Sequence, residues 1–101
     1  MRAHPGRRPE LLELLRELVD AAAAGEPGTL VYAMHEAADD PDTVVSYELF
    51  ADDAAIEAHK ASPAVAAVMP RLGALVAEGS FRRLEPALAT GLPSVPQRDG
   101  T

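Results

Sequence analysis

Thr43-Val-Val-Ser-Tyr-Glu-Leu-Phe50, running on into Ala51-Asp-Asp-Ala-Ala-Ile-Glu-Ala-His-Lys-Ala-Ser62, is the stretch whose reading decides the fold. Its first half alternates as a strand does, with Val45, Tyr47 and Leu49 on one face and Val44, Ser46, Glu48 and Phe50 on the other. Asp52 or Asp53 is suited to cap a helix, and Ile56 and His59 lie three residues apart on one face of that helix. A tyrosine, a glutamate and a histidine are thus gathered near one seam between sheet and helix.

Upstream, Thr29 to Glu36 alternates in the same way, with Leu30, Tyr32 and Met34 opposite Val31, Ala33 and His35. The turn cluster Ala37-Ala-Asp-Asp-Pro-Asp42 joins the two strands into an antiparallel hairpin. Both faces of both strands are largely apolar, so the sheet should be covered on both sides. One cover is helical, and a partner chain is the simplest source of the other. Further upstream, Leu11, Leu14, Leu15, Leu18, Val19 and Ala22 recur at helical spacing from Glu10 to about Ala24. Pro9 suits the first turn of that helix, Gly25 its end, and Pro27-Gly28 forbids continuation.

Downstream, Ser62-Pro63 ends one helix and starts the next. The stripe Val65, Val68, Met69, Leu72, Leu75 and Val76 continues that helix past Pro70 as far as Gly79. Ser80 to Glu85 is predicted as a short final strand. Residues 87–101, rich in Pro, Gly and Ser, read as a flexible C-terminal tail behind a domain spanning 1–86.

Composition narrows the function. With 101 residues the chain suffices for one modest core, and much of its 48% apolar content is alanine, which buries little area. A formal charge of −7 argues against nucleic acid, because phosphate binding needs clustered Lys and Arg. Arg2, Arg7 and Arg8 read as solvated ends of elements. The chain has no cysteine, so neither a disulfide framework nor a thiolate nucleophile is possible. Met1 to Gly6 shows no signal-peptide pattern and no apolar run reaches the roughly 20 residues of a membrane span. A soluble cytoplasmic protein is expected. The three histidines, at positions 4, 35 and 59, have no metal-ligand spacing. Asp39, Asp40 and Asp42 lack the closing Glu of a calcium loop.

The order helix, strand, strand, helix, strand is that of a ferredoxin-like βαββαβ domain with its first strand mostly missing. In detail the chain resembles the antibiotic biosynthesis monooxygenase (ABM) family and its quinol-monooxygenase-like relatives. The resemblance runs from Met1 to about Pro86. It is carried by Pro5-Gly6 before the Leu-rich helix, Glu26-Pro-Gly-Thr-Leu-Val-Tyr-Ala-Met-His-Glu36, Pro41-Asp-Thr43, Tyr47-Glu48, and Ala58-His59 with Ser62-Pro63. It implies a homodimer of α+β domains, a dimeric α+β barrel in which the two sheets pack face to face. It also implies oxidation of a small quinol or aromatic polyketide-like substrate by O2, with neither metal nor flavin cofactor. The sequence departs from the family in three places. Only Met1 to His4 remain of the opening strand, so an upstream start is expected. Phe50 stands where a Trp is usual, and Ala64 where many relatives carry a second histidine.

A cofactor-free oxygenase needs a base that titrates near neutrality, a donor for the developing oxyanion and an apolar pocket. His59 is the candidate base. The alternative is a half-buried surface histidine with no role. Tyr47 is the candidate donor, or a core aromatic with its hydroxyl at the rim. Tyr32, Met34, Phe50, Met69 and Leu72 are candidates for the pocket lining, or plain core. His35, ending its strand, reads as a solvated edge. Glu48 falls on the face that the family comparison assigns to the dimer interface, which makes it structural. The rival to an oxygenase is a non-catalytic small-molecule-binding or accessory dimer of the same fold.

Overall fold

The computed structural model describes residues 1–93. Seven elements follow one another: β1 (Arg2–Ala3), α1 (Arg8–Gly25), β2 (Thr29–Glu36), β3 (Val44–Phe50), α2 (Asp53–Lys60), α3 (Pro63–Leu75) and β4 (Val76–Glu78). The leucine spacing of α1 does what it predicts. Leu11, Leu14, Leu15 and Leu18 are buried and face the sheet and α3, and the helix runs one residue beyond Ala24 to Gly25. Asp52 caps α2 by accepting from the Ala55 N–H, and Ser62 caps α3 by accepting from the Ala64 N–H.

The hairpin of β2 and β3 pairs Tyr32 with Glu48, Ala33 with Tyr47 and Met34 with Ser46. A register shift between Thr29 and Val31 marks an irregularity at Leu30. A second antiparallel pair, β1 with β4, joins the hairpin through an isolated bridge between Arg2 and Thr43. The Met1 carbonyl accepts from the Val44 N–H at 2.8 Å, and the Ala3 N–H donates to the Asp42 carbonyl at 2.8 Å. Strands therefore succeed one another as β4-β1-β3-β2, the order of a ferredoxin-like sheet.

Two expectations change here. Short as it is, β1 reaches both neighbours, through Arg2 and Ala3 to β4 and through Arg2 to Thr43. The last strand is Val76–Glu78 rather than residues 80–85, and α3 stops at Leu75 instead of running to Gly79. The open backbone groups of β1 take over where helix propensity would have continued. The His4 N–H donates to the Leu75 carbonyl, and Ala3 pairs with Val76. Residues 79–93 form no regular element, and the part of the expected tail from 94 to 101 lies outside the described residues.

The core sits between the helices and one sheet face, with Ala3, Leu11, Leu15, Val44 and Val68 almost wholly buried and Tyr32, Met34 and Leu72 packed against it. Arg8 is not a solvated end. Its guanidinium donates to the carbonyls of Ala37, Asp40 and Thr43, tying α1 to the hairpin loop.

Gly28 sets how closely α2 approaches the start of β2. A Cβ at that position would lie 2.5 Å from the Ala55 Cβ, closer than such carbons can come. Gly28→Ala is therefore expected to push α2 outward and destabilise the domain by about 1–3 kcal/mol. Gly25→Ala, which would meet nothing within 4 Å, is expected to be neutral or slightly stabilising. Denaturant midpoints of the two variants check the contrast, and equal midpoints would refute it.

Candidate active site

α2 lies across the end of the hairpin, and its last turn brings His59 down onto the sheet. The imidazole is held on three sides. Its Nδ1 lies 2.7 Å from Glu26 Oε1, and its Nε2 lies 3.5 Å from Glu48 Oε1. The ring meets Tyr32 edge to face at 5.0 Å between centroids and Phe50 at 5.3 Å. The side chains of His59, Glu26 and Glu48 are only 12%, 11% and 15% exposed. Thr29 Oγ1 donates to the same oxygen of Glu26 at 2.9 Å, and Ser46 Oγ donates to Glu48 Oε2 at 3.3 Å. A carboxylate can only accept, so an ionised Glu26 orients the ring with an Nδ1 hydrogen toward Oε1. At 3.5 Å, Glu48 is too far from Nε2 for a strong hydrogen bond.

The partners come from three places in the chain. Glu26 is the residue just beyond α1, Tyr32 lies on β2, and Glu48 and Phe50 lie two apart on β3. Tyr32 and Glu48 are direct cross-strand partners and so project to the same face. Burial, and then the nearby Glu48 and Glu26 carboxylates, push the Tyr32 hydroxyl well above the usual tyrosine range. It thus stays neutral and able to donate throughout the physiological range.

That shift has a consequence for stability. The folded chain holds the Tyr32 proton more tightly than the unfolded chain, whose tyrosine titrates near about pH 10. The contribution is complete below that pH and is lost as pH rises through the alkaline range. The parent should therefore lose more stability between about pH 9 and pH 11 than Tyr32→Phe does. Parallel denaturation curves at both pH values measure this, and equal losses would rule it out.

The expected site residues separate. His59, Tyr32 and Phe50 come together. Tyr47 lies on the opposite face of the sheet from His59, because it alternates with Glu48 along β3. The same alternation brings Glu48 to the helical face beside His59 and not to the outer face first expected of it. Met34 and Leu72 pack against the hydrophobic core, while Met69 is 56% exposed on α3. His35 lies at the exposed far end of the hairpin, its Nδ1 3.1 Å from the Val45 carbonyl oxygen. Glu26 was absent from the expected set. Its only sequence signal is its place between the end of a helix and a Pro-Gly step.

Beside Glu26 opens a cleft of about 480 Å³ between the C-terminal end of α1 and the junction of α2 with α3. Alanines 21, 55, 58, 61 and 64 make much of its wall, and among the described residues Glu26 is the one lining residue with an ionisable side chain. Among the described residues no group of three or more His, Cys, Asp or Glu side chains is placed to hold a metal ion. Glu26 and Glu48 lie against opposite nitrogens of one ring, so these three do not converge on a point. No helix among the described residues is long and apolar enough to cross a membrane.

The family profile of the antibiotic biosynthesis monooxygenases matches residues 1–71, which includes β1, both hairpin strands and the whole of α2. The chain belongs to the antibiotic biosynthesis monooxygenase family. Two solved structures resemble this ABM-domain protein over nearly its full length. One, from Chloroflexus aurantiacus J-10-fl, carries a provisional assignment as an antibiotic biosynthesis monooxygenase. It superposes with a TM-score of 0.76 at 26% identity, covering 92% of each chain. The other is a Nitrosomonas europaea protein of unknown function, with a TM-score of 0.76 at 27% identity over 93% of this chain and 88% of that one. No curated protein matches the chain. These likenesses establish the ferredoxin-like α+β fold and the family of this ABM-domain protein.

Proposed function

We propose that this ABM-domain protein is a cofactor-independent monooxygenase that oxidises a small quinol or aromatic polyketide-like substrate with O2. The observation that carries the reading is the buried His59, with Nδ1 on Glu26 and its ring against Tyr32 and Phe50. His59 Nε2 takes a phenolic proton from the quinol, because the anion reduces oxygen far more readily than the neutral ring. Tyr32, kept neutral by its surroundings, donates to the substrate oxygen in the role first considered for Tyr47.

The anion passes one electron to O2, and the resulting semiquinone and superoxide combine in a new carbon–oxygen bond. Cleavage of the O–O bond then sends the distal oxygen out as water, protonated by the His59 imidazolium. Loss of the ring C–H proton leaves the ketone of a hydroxyquinone. Quinol and O2 thus give hydroxyquinone and water, with one oxygen atom in each product.

The outer sheet face, where Val45 is 54% exposed, belongs to the same proposal as the surface on which a second copy packs. The same reading has the protein act in the cytoplasm. A second reading, a binding or accessory protein without turnover, is favoured by one observation. Both His59 nitrogens face carboxylates, which leaves Nε2 less free than a dedicated base. Incubation of a quinol panel under isotopically labelled oxygen separates the two. One labelled atom per hydroxyquinone, matched by oxygen uptake, supports the oxygenase. Quinol binding without uptake by the folded protein supports the second reading instead.

A further inference from the structure

Resting on that reading, we infer that the alanine-walled cleft beside Glu26 takes uncharged hydroxyl-bearing aromatics and turns away anionic ones, with Glu26 as the residue that makes the distinction. Glu26 has two carboxylate oxygens and uses one. Both His59 Nδ1 and Thr29 Oγ1 meet Oε1, while Oε2 has no hydrogen bond among the described residues. Every fully buried side-chain nitrogen or oxygen among the described residues has a partner. Oε2 is therefore not fully buried, and Glu26 is among the residues that line the cleft. A ligand hydroxyl entering there meets an acceptor that is itself bonded to the imidazole, so the same carboxylate orients both the ligand and His59.

Charge sets the selectivity. Among the described residues no Lys or Arg lines the cleft. Among the described residues, the only basic side chain within ion-pair distance of Glu26 or Glu48 is His59 itself. Glu26 is the one acidic residue among the described residues that line the cleft. A ligand carboxylate, phosphate or sulfonate would be desolvated beside Glu26 with no counter-charge, whereas a neutral phenol donates to it. The volume of about 480 Å³ suits a ligand of one or two rings.

Calorimetry under anaerobic conditions tests this with two probes, hydroquinone and its ring-carboxylated analogue gentisate. Hydroquinone is expected to bind more tightly than gentisate by about tenfold or more. Glu26→Gln should shrink that preference, since the amide keeps the shape and removes the charge. Ala58→Leu, placed on the exposed side of α2 where it leaves the core untouched, should abolish binding of both by filling the cleft. Equal or tighter binding of gentisate, no binding of hydroquinone, or unchanged binding in Ala58→Leu would each overturn the inference. With oxygen excluded, the outcome is separable from that of the monooxygenase reading. Selective binding without later oxygen uptake would sink only the latter, and uptake without selectivity only the former.

Discussion

His59→Ala is expected to lower quinol-dependent oxygen uptake by about 10²–10⁴-fold, the usual contribution of a positioned general base. The loss should fall on kcat, because the cleft walls and Glu26 remain to bind the substrate. Removing the ring also leaves Glu26 and Glu48 without their shared partner, so some stability is lost as well. His59→Gln separates the two effects. Its amide keeps most of the volume and can donate to Glu26, but it cannot exchange a proton at neutral pH. A folded His59→Gln variant with uptake lowered as far as in His59→Ala assigns the loss to proton transfer. Uptake within about threefold of the parent in both variants would remove His59 from the mechanism.

Leu11→Ala should be the most damaging single substitution to the fold, at a cost of about 2–5 kcal/mol. Leu11 is fully buried in α1 and belongs, among the described residues, to a core cluster of only eight buried residues, Ala3 and Val44 among them. The helices around it are rich in alanine, so few large side chains are available to collapse into the cavity. A small domain has only about 5–15 kcal/mol in hand, and each kcal/mol moves the Tm of one this size by roughly 4–8 °C. A fall of at least about 10 °C in Tm, or outright unfolding, is the expected result. Leu88→Ala, at a position 98% exposed, provides the control and should shift stability by less than about 0.5 kcal/mol. If both variants melt alike, the core lies elsewhere.

These expectations draw on different depths of information. The leucine spacing of α1, the alternation of β2 and β3 and the caps at Asp52 and Ser62 are local signals. The structure realises each within a residue or so. The last strand was not legible. Val76 and Ala77 follow smoothly on a helical stripe, and only the unpaired backbone of β1 draws them into a sheet. The site was half legible. His59 is marked by its position in a helix that leaves the hairpin, whereas Glu26 is 33 residues away and meets it only when α2 folds back over the start of β2.

By itself the sequence determined the order of the elements, because helix period, strand period and capping chemistry act over a few neighbouring residues. It also separated Tyr47 from Glu48, since adjacent residues of a strand face opposite ways. Which of the two would meet His59 was decided only by the tertiary structure. Both faces of the hairpin are apolar, so alternation carries no sign of which one the helices cover. The register of Tyr32 with Glu48, and the close approach that Gly28 permits α2, put the carboxylate on the covered side and the Tyr47 hydroxyl on the other.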